Sequence, residues 1–430
     1  MSEVFPGSDS FSRRTALKWV AAMPIFASIA ADSLWAQAKA VVSGKPPGNV
    51  YTAIGVRPFI NARGTWTYLS GSLELPEVRA AKTEAAKHFV DIFELQHAAG
   101  KRLAELSGAE SGMVTSGAAG AIASATAACM AGTDPEKIWQ LPDTTGLKHE
   151  VIMFGGRSAF DSAARLTGAK LVVTRTHDEL RSAIGPNTAM VYTTALGEKL
   201  QQALAITKSA GVPMLLDDAA GIPPIQNLRL YAQMGIDLFC FSGGKGLCGP
   251  QCSGLLLGRK DLIEAALRNT SPWEGAVCRP MKVGKEEVMG CLAAVEAWTK
   301  MDLAALNREW NRRVERIAKL VELVPGVTTN IKIPEGGNRY PTLTVSWDHD
   351  AWNFSVADCD RALRDGEPRI EVLTMSNPSL VSAVNEHHDT KTLHENRLQI
   401  ISMTMQQGEE VIVGQRLRSI LDKARKSAKA

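Results

Sequence analysis

Lys245 is the residue of this 430-residue chain whose surroundings point most directly to chemistry. It lies in the run Phe-Ser-Gly-Gly-Lys-Gly-Leu (241–247), directly after an apolar stretch that predicts a buried strand. The flanking glycines remove the Cβ atoms that would keep a planar ligand away from the backbone. An amine held in a partly desolvated crevice loses its proton more easily and can attack a carbonyl, as Schiff-base lysines do. Taken alone, the motif could equally be a surface lysine in a turn.

A second reactive group, Asp217, ends an apolar strand predicted over 213–217. A helix predicted over 225–234 and a strand over 238–242 separate Asp217 from Lys245, which makes one β-α-β unit. The two strands therefore run parallel, and both side chains emerge at the carboxyl edge of the sheet. A carboxylate there can keep a pyridine nitrogen protonated while the lysine forms an imine with an aldehyde of the same ring. Pyridoxal phosphate needs both groups, because its ring withdraws electrons only while it is protonated.

A third motif, Met-Val-Thr-Ser-Gly-Ala-Ala-Gly-Ala-Ile (113–122), supplies a candidate phosphate site. It predicts a strand that turns through Ser116 and Gly117 into an alanine-rich helix over 117–131. Free backbone N–H groups and the positive end of this helix would meet a phosphate. An ordinary strand-to-helix turn is the alternative for this motif alone. Because the three motifs occur in the right order along one chain, the sequence predicts pyridoxal 5'-phosphate as cofactor.

Five segments of the chain resemble the selenocysteine-synthase-like (seryl-tRNA selenium transferase-like) group of fold-type-I pyridoxal-phosphate enzymes, to which D-glucosaminate-6-phosphate ammonia lyase is similar. They read INARGTWT from 60, TSGAA from 115, DDAAGIPP from 217, SGGKGLCGPQ from 242 and RPMKVGKE from 279. The resemblance runs from about Tyr51 to the C-terminus. It implies that Lys245 is the Schiff-base lysine and that Asp217 binds the pyridine nitrogen. It also implies the phosphate ligands, which are Ser116, Gly117 and Ala118 with help from Ser242.

The chain departs from the family pattern over residues 154–161. Family members usually carry RGHRxxYD there, whereas this chain reads FGGRSAFD. Gly156 therefore replaces a histidine and Phe160 a tyrosine, while Arg157 and Asp161 are kept. The change removes two candidate acid–base or ring-stacking groups. Gly221 likewise replaces an acid that is usual in the family, so the resemblance fixes the cofactor more firmly than the substrate or the reaction.

These observations predict an enzyme that labilises bonds at the α-carbon of an amino-acid or amino-sugar-acid substrate. The resemblance favours α,β-elimination or β-replacement, by a lyase or transferase, with transamination second. True tRNA-dependent selenocysteine synthesis is disfavoured, because the first 50 residues read as signal and linker rather than as a tRNA-binding region. A protein that keeps the fold without turnover is the alternative from a different class.

Three arginines are candidate substrate ligands. Arg63 adjoins Gly64 in the first family-like segment and could clamp an anionic group, with a structural salt bridge as the alternative. Arg157 occupies a position that the family keeps. Arg369, in the run GEPRI (366–370), could reach a substrate carboxylate or could be a solvent-exposed residue after a proline turn.

The elements that position these residues alternate along the chain. Seven short apolar runs interleave with helical stretches, which predicts an α/β fold with a mostly parallel seven-stranded sheet and helices on both faces. The runs cover 113–115, 151–154, 170–174, 189–193, 213–217, 238–242 and 254–258. The predicted parts are an N-terminal segment with a large domain (51–285), connecting helices (286–322) and a smaller C-terminal α+β domain (323–430). The resemblance implies a homodimer or higher homo-oligomer, because neighbouring subunits usually complete fold-type-I sites.

Residues 1–38 predict an export signal. The run SRRTALK (12–18) precedes an apolar stretch over 19–31 and then AQA at 36–38, which is the layout of a twin-arginine signal with a cleavage site. The alternatives are a membrane span, for which the apolar part is too short, and a chance amphipathic helix. A linker follows at 39–50. The sequence therefore predicts a periplasmic or extracellular protein, exported by a pathway that carries folded proteins with their cofactor loaded.

Composition narrows the range of partners. The formal net charge is +3, with 45% hydrophobic and 22% charged residues, which is ordinary for a globular protein and gives no indication of nucleic acid or of an anionic membrane surface. The mature chain is expected to lack a membrane span. The seven cysteines form no metal pattern, and the histidines at 387, 388 and 394 read as part of a solvated loop, so no metal site is expected. A small-molecule amine is therefore the expected partner.

Overall fold

A computed structural model describes residues 49–335, 337–374 and 397–428 of the chain. Residues 49–58 belong to a separate short unit that contains the 3-10 turn Thr52–Ile54. The chain from Phe59 onward forms one compact unit, which contains all the predicted catalytic and cofactor-binding residues. The export signal, nearly all of the linker and the three histidines at 387, 388 and 394 lie outside the described residues.

The described ranges contain twelve strands. In chain order they are β1 (Ile60–Ala62), β2 (Ser111–Thr115), β3 (Glu150–Phe154), β4 (Lys170–Thr174), β5 (Thr188–Thr193), β6 (Met214–Asp217), β7 (Leu238–Ser242), β8 (Gly254–Gly258), β9 (Thr328–Lys332), β10 (Thr342–Ser346), β11 (Ile370–Thr374) and β12 (Leu398–Ile401). Seven of them form one sheet in the order β2-β8-β7-β6-β5-β3-β4. Only β8 runs antiparallel to its neighbours in this sheet, so the predicted seven-stranded, mostly parallel α/β fold is confirmed.

The same ranges contain fourteen α-helices. They are α1 (Pro76–Ala85), α2 (Ile92–Ser107), α3 (Gly117–Ala131), α4 (Pro135–Gln140), α5 (Ser162–Arg165), α6 (His177–Ala183), α7 (Gly197–Ala210), α8 (Asn227–Gln233), α9 (Lys260–Arg268), α10 (Lys285–Trp298), α11 (Leu303–Val321), α12 (His349–Trp352), α13 (Val356–Asp365) and α14 (Glu409–Ser427). None of them is long and apolar enough to cross a membrane. The connecting helices predicted over 286–322 correspond to α10 and α11, and the Asp302 side chain caps the start of α11 by accepting a hydrogen bond from the N–H of Ala305.

Both faces of the seven-stranded sheet are buried, which explains the unbroken apolar runs in its strands. In β7, Phe239 and Phe241 belong to the apolar core on the side of α2, α7, α8 and α10. Leu238 and Cys240 belong to the core on the opposite side, with α3, α5 and α9. Successive side chains of a strand point to opposite faces, so each central strand is held from both sides. The ends of β6 and β7 are therefore fixed positions for the residues that follow them.

A smaller sheet has five strands in the order β1-β11-β12-β10-β9. β1 runs parallel to β11, with Ile60 opposite Ile370, and the remaining neighbours are antiparallel. A third apolar core joins this sheet to α11, α13 and α14. Neither β1 nor β11 was among the strands that the sequence predicted. The segment that precedes the large sheet thus contributes a strand to the smaller one, while the predicted domain boundaries stay a prediction.

Candidate active site

The carboxyl ends of β6 and β7 lie beside a cavity of about 200 Å³, which we call the inner cavity. Its lining includes Gly117, Ala118, Asp217, Ser242 and Lys245. A second cavity of about 320 Å³, which we call the outer cavity, is lined by Arg63 together with residues of the smaller sheet. The two cavities share Thr65, Thr67, Phe160 and Lys245. The lysine predicted from the sequence therefore lies at the junction of two connected spaces.

Lys245 is closely surrounded by protein, although part of its side chain faces the cavities. Burial lowers the pKa of its ammonium below the ordinary lysine value, and the negative charge of Asp217 opposes this shift. Nζ lies 5.6 Å from the centroid of the Phe160 ring. The turn itself requires glycine, because a Cβ on Gly246 would lie 2.0 Å from the backbone oxygen of Ile222. The result is an amine that is neutral, and hence nucleophilic, at a lower pH than a lysine in water.

The Asp217 carboxylate is held in one orientation by three groups. The Tyr192 phenol donates to Oδ2 at 2.7 Å, and the backbone N–H of Ala219 donates to Oδ1 at 3.1 Å. The Cys240 thiol lies 3.6 Å from the same Oδ1. Burial, followed by the charge of Asp217, raises the pKa of Tyr192, so the phenol keeps its proton and remains a donor. Asp217 is thus a fixed anion that lines the inner cavity.

Asp218 points to a different environment from its neighbour. Its Oδ2 accepts a hydrogen bond from the Tyr231 phenol at 2.6 Å, and burial raises its pKa. A Cβ on Gly221 would lie 1.7 Å from this same oxygen. The carboxylate of Asp218 therefore takes the space that a side chain at 221 would need, which explains why this chain lacks the acid that its family usually carries there.

The start of α3 forms another part of the inner cavity. Gly117 and Ala118 line this cavity as predicted, whereas Ser116 lines a separate and much smaller one. The Ser116 hydroxyl lies over the first turn of the helix, since a Cβ on Gly120 would be 2.6 Å from its Oγ. A Cβ on Gly254 would lie 2.4 Å from the carbonyl carbon of Gly117, so the turn packs directly against β8. The first N–H groups of a helix have no partner within the helix and can bind an anion.

Arg63 lies at the far side of the outer cavity and is only 5% exposed. Its Nη1 donates to the backbone oxygen of Val372 at 3.1 Å, and its guanidinium lies 5.5 and 5.6 Å from the ring centroids of Trp66 and Tyr68. Its Nε is buried without a hydrogen-bond partner. Across the described residues, no ion pair to Arg63 is found, so the structural salt bridge that the sequence left open is not seen. A buried guanidinium of this kind is suited to an anionic ligand.

The other two predicted arginines do not line either cavity. Arg157 donates from Nε and Nη2 to the carboxylate of Asp161. Arg369 donates from Nε to Oε1 of Glu371 at 2.9 Å and lies before β11, whereas the outer cavity is reached only at Leu373 near the other end of that strand. Each guanidinium is thus already satisfied by a carboxylate close in sequence. The structure does not place either guanidinium on a cavity wall, and their substrate-binding role stays a prediction.

The sequence did not predict the roles of two residues of the site. Tyr192 was not predicted to be a site residue, although a phenol near the end of a strand can reach the end of the neighbouring strand. Phe160 was noted only as a lost phenol, yet it is 55% exposed and lines both cavities beside Lys245. Together with the lysine, the fixed carboxylate and the helix start, these contacts fit pyridoxal phosphate: one amine, one anion and free backbone donors surround a single cavity.

Comparisons with known proteins agree with this geometry. Residues 157–339 match the class-V aminotransferase family. The L-seryl-tRNA(Sec) selenium transferase of Moorella thermoacetica is 26% identical over 348 residues, covering 68% of this chain and 70% of that protein. A Streptomyces protein described as 5'-C-glycyluridine monooxygenase-decarboxylase is 32% identical over 341 residues, covering 74% of this chain and 83% of that protein. This chain belongs to the selenocysteine-synthase-like family.

Another member of the selenocysteine-synthase-like family matches nearly end to end. D-glucosaminate-6-phosphate ammonia lyase of Salmonella typhimurium is 26% identical over 393 residues, which is 87% of this chain and 99% of that protein. A solved structure of a D-glucosaminate-6-phosphate ammonia lyase superposes with a TM-score of 0.72 over 88% of this chain. The predicted family, cofactor and fold are therefore confirmed, and the protein is a pyridoxal-phosphate-dependent enzyme.

Proposed function

We propose that this enzyme catalyses α,β-elimination or β-replacement on an amino-acid or amino-sugar-acid substrate. The observation that carries the proposal is the position of Lys245. Its largely buried amine lies where the inner cavity, with the Asp217 carboxylate, meets the outer cavity, with the Arg63 guanidinium, whose Nε has no hydrogen-bond partner. A substrate that fills the outer cavity would thus have its amine beside Lys245 and its acid group beside Arg63.

Pyridoxal phosphate, when bound, supplies an aldehyde and a protonated ring that withdraws electrons from the α-carbon of an amine. Asp217, oriented by Tyr192, provides the negative charge that keeps the ring nitrogen protonated. The backbone N–H groups at Gly117 and Ala118 bind the phosphate, with Ser242 beside them on the cavity wall.

Lys245 is also the group that moves the proton. Gly156 and Phe160 leave neither the imidazole nor the phenol that the family pattern would offer, whereas Lys245 has an amine whose pKa is lowered by burial and which lies at the junction of the cavities. It takes the proton from the substrate α-carbon and returns it to the leaving group. The Phe160 ring lies beside this amine, with its centroid 5.6 Å from Nζ.

The proposal is tested with purified protein reconstituted with pyridoxal phosphate. A panel of amino acids and amino-sugar acids is expected to perturb the visible absorbance of the bound cofactor and to release ammonia and a 2-oxo acid. Lys245→Ala should abolish product formation, while Lys260→Ala, at an exposed lysine in the first turn of α9, should leave it unchanged. Full activity of Lys245→Ala, or a panel without any spectral change or product, would refute the proposal.

An oxidative decarboxylation is a second candidate, which the 32% identity to a protein described as a monooxygenase-decarboxylase favours. The two reactions differ in their consumption of oxygen and in their products. Elimination proceeds at full rate under argon and releases no carbon dioxide, whereas oxidative decarboxylation stops without oxygen. Transamination, the third candidate, requires an added 2-oxo acid for continued turnover. Measurements with an oxygen electrode and mass spectrometry of the products separate all three.

We also propose export through a twin-arginine signal in residues 1–38. The support is the order of basic pair, apolar stretch and small-residue site in the sequence. A fusion of residues 1–45 to a folded reporter should appear outside the cytoplasm, and the double change Arg13→Lys and Arg14→Lys should block this. A wild-type fusion that stays in the cytoplasm would refute the proposal.

A homodimer is the assembly that we propose for the enzyme. Support comes from the connection between α1 and α2, where Phe89 is fully exposed and Val90 is about half exposed, and from Phe93 in the first turn of α2, which is 41% exposed. Apolar side chains grouped on a surface indicate a contact with another protein surface. Light scattering should give the mass of a dimer for the native chain and of a monomer for Phe89→Asp. A native chain that is monomeric at micromolar concentration would contradict the proposal.

A further inference from the structure

We propose that the outer cavity selects an α-amino acid whose β-substituent, the leaving group of the reaction, is uncharged and largely apolar, and whose carboxylate is bound by Arg63. The inference rests on the proposed function, because it assumes that an amine substrate reacts at Lys245. It narrows the substrate class from amino acids and amino-sugar acids in general to one chemical type.

The first part of the argument concerns the charge of Arg63. Arg63 as a residue is only 5% exposed, and its Nε is buried without a hydrogen-bond partner. The bond from Nη1 to the Val372 carbonyl fixes the orientation of the planar group, and the rings of Trp66 and Tyr68 flank it. Among the described residues, no carboxylate lies within ion-pair distance of this guanidinium, although burial raises the pKa of the Asp360 carboxyl and the positive charge of Arg63 opposes this rise. A substrate carboxylate, which can accept two parallel N–H bonds, would supply the direct ion pair that is missing.

The second part concerns the walls between Arg63 and Lys245. Leu373 and Ile401, from two strands of the smaller sheet, line the outer cavity together with the Tyr340 ring. Tyr340 is 1% exposed and packs edge-on against Trp310 at 5.7 Å between ring centroids, so this wall is rigid. An apolar side chain gains by leaving water for such a surface, whereas a charged one loses its hydration without a partner.

The third part concerns the cations that an acidic or phosphorylated substrate would need. Among the described residues that line the outer cavity, Arg63 and Lys245 are the only cations. Arg339 lies between the lining residues Asn338 and Tyr340, and its Nε is also buried without a hydrogen-bond partner, but Arg339 itself does not line the cavity. Arg157 and Arg369 are bound to carboxylates. On the described cavity wall, one cation is used by the substrate carboxylate and the other lies at the reacting amine, so this wall offers no further cation to a phosphate.

The test compares binding to the reconstituted enzyme, followed by the visible absorbance of the bound cofactor and by tryptophan fluorescence. The probes are phenylalanine, leucine, O-phosphoserine and glutamate in both enantiomeric forms, with D-glucosaminate 6-phosphate and phenethylamine. Phenylalanine and leucine should bind at least about tenfold more tightly than the phosphorylated and acidic probes, because a lost charge pair in a buried site typically has an effect of this size or more. Phenethylamine, which lacks the carboxylate, should bind at least about tenfold more weakly than phenylalanine.

Variants of Arg63 and Leu373 test whether these residues cause the preferences for a carboxylate and for an apolar group. Arg63→Met should reduce the preference for phenylalanine over phenethylamine to less than about threefold, and Arg63→Lys should retain part of it, because a point charge replaces a planar fork. Leu373→Ser should weaken phenylalanine binding without weakening alanine binding. Leu323→Ser, at an exposed leucine after α11, is the matched control and should change neither.

Two results would overturn the inference. One is an O-phosphoserine or D-glucosaminate 6-phosphate affinity equal to that of phenylalanine, and the other is an Arg63→Met variant that keeps the full preference for a carboxylate. A different result would refute the proposed function alone: apolar amino acids that quench tryptophan fluorescence in an Arg63-dependent way without altering the absorbance of the cofactor. That outcome would support the subsite for an apolar acid while removing the reaction at Lys245.

Discussion

The Tyr192 phenol donates a 2.7 Å hydrogen bond to the Oδ2 of Asp217 across the neighbouring strands β5 and β6. Both side chains are buried, with 2% and 7% of their surfaces exposed. One Asp217 oxygen, Oδ2, is thus held by the Tyr192 side chain, and the other, Oδ1, accepts a hydrogen bond from the backbone N–H of Ala219. Tyr192 is therefore a positioning residue for the carboxylate rather than a group that meets the substrate.

Tyr192→Phe removes this donor and leaves the ring in place. A hydrogen bond to a charged group contributes about 1.5–3 kcal/mol, so we expect affinity for pyridoxal phosphate to fall roughly tenfold to a hundredfold. Titration of the apoprotein with cofactor, followed by visible absorbance, measures the effect. We expect this loss of affinity because the Asp217 carboxylate would no longer be held in one orientation.

Tyr231→Phe is the matched control for this change. Tyr231 makes the equivalent bond to Asp218, whose carboxylate is not on the inner cavity wall. We expect Tyr231→Phe to lower stability by about 1–3 kcal/mol, because a buried acceptor loses its donor, while cofactor affinity changes less than threefold. Equal losses of cofactor affinity in the two variants would contradict the positioning role of Tyr192.

Lys245→Met should stabilise the apoprotein at neutral pH. The pKa of Lys245 is lowered by burial, so between this folded-state pKa and the ordinary value of 10.5 the unfolded chain binds a proton that the folded chain does not. The free energy of unfolding of the native apoprotein therefore rises with pH through this window, relative to that of Lys245→Met, which has no titrating group at position 245. Urea unfolding from pH 6 to pH 10.5 should show the advantage of Lys245→Met shrinking as pH rises. An advantage that grows with pH would contradict the burial of this amine.

Gly156 has a φ of +118°, and no atom within 4 Å would meet an added Cβ. Gly156→Ala is therefore a test of backbone conformation alone. We expect a loss of about 1–3 kcal/mol in the free energy of unfolding, because a residue with a side chain is strained at this φ. Gly185→Ala, with open space and no such φ, should change the same quantity by less than about 1 kcal/mol. Equal effects in thermal or urea unfolding would refute the conformational explanation of this glycine.

Gly254→Ala tests the close packing of β8 against the start of α3. The added Cβ would lie 2.4 Å from the carbonyl carbon of Gly117 and 2.7 Å from the backbone nitrogen of Ala118. Because only backbone can move there, we expect a loss of about 1–3 kcal/mol in stability together with weaker cofactor binding. Inorganic phosphate should protect the variant less than the native apoprotein against thermal unfolding. Unchanged cofactor affinity would show that this turn does not bind the phosphate.

The strands of the large sheet were predicted well from the sequence. Both faces of this sheet are buried, so its strands are short, continuous apolar runs that are easy to recognise. Strand β1 was missed, because its three residues pair with Ile370 and its neighbours more than 300 positions away. A strand of that length has no local signal, and its partner is specified only by the complete fold. The position of Arg63 follows from this pairing, which is why its burial could not be predicted.

The arginines illustrate the same limit at the level of the site. Arg157 and Asp161 are four residues apart, and Arg369 and Glu371 are two apart in an extended segment, so both pairs were visible in the sequence. Their pairing could have been used to remove these arginines from the list of substrate ligands. The Tyr192 contact with Asp217 depends instead on the order of strands in the sheet, and no local pattern specifies that order.

Arg63 directly follows β1 of the five-stranded sheet, and Lys245 follows β7 of the seven-stranded one. A ligand bound by both residues therefore links the seven-stranded sheet to the five-stranded sheet. Such a ligand stabilises the packing of the two sheets, and this stabilisation increases with ligand concentration. An amine without an acid group binds only at Lys245, so it does not stabilise the packing between the sheets.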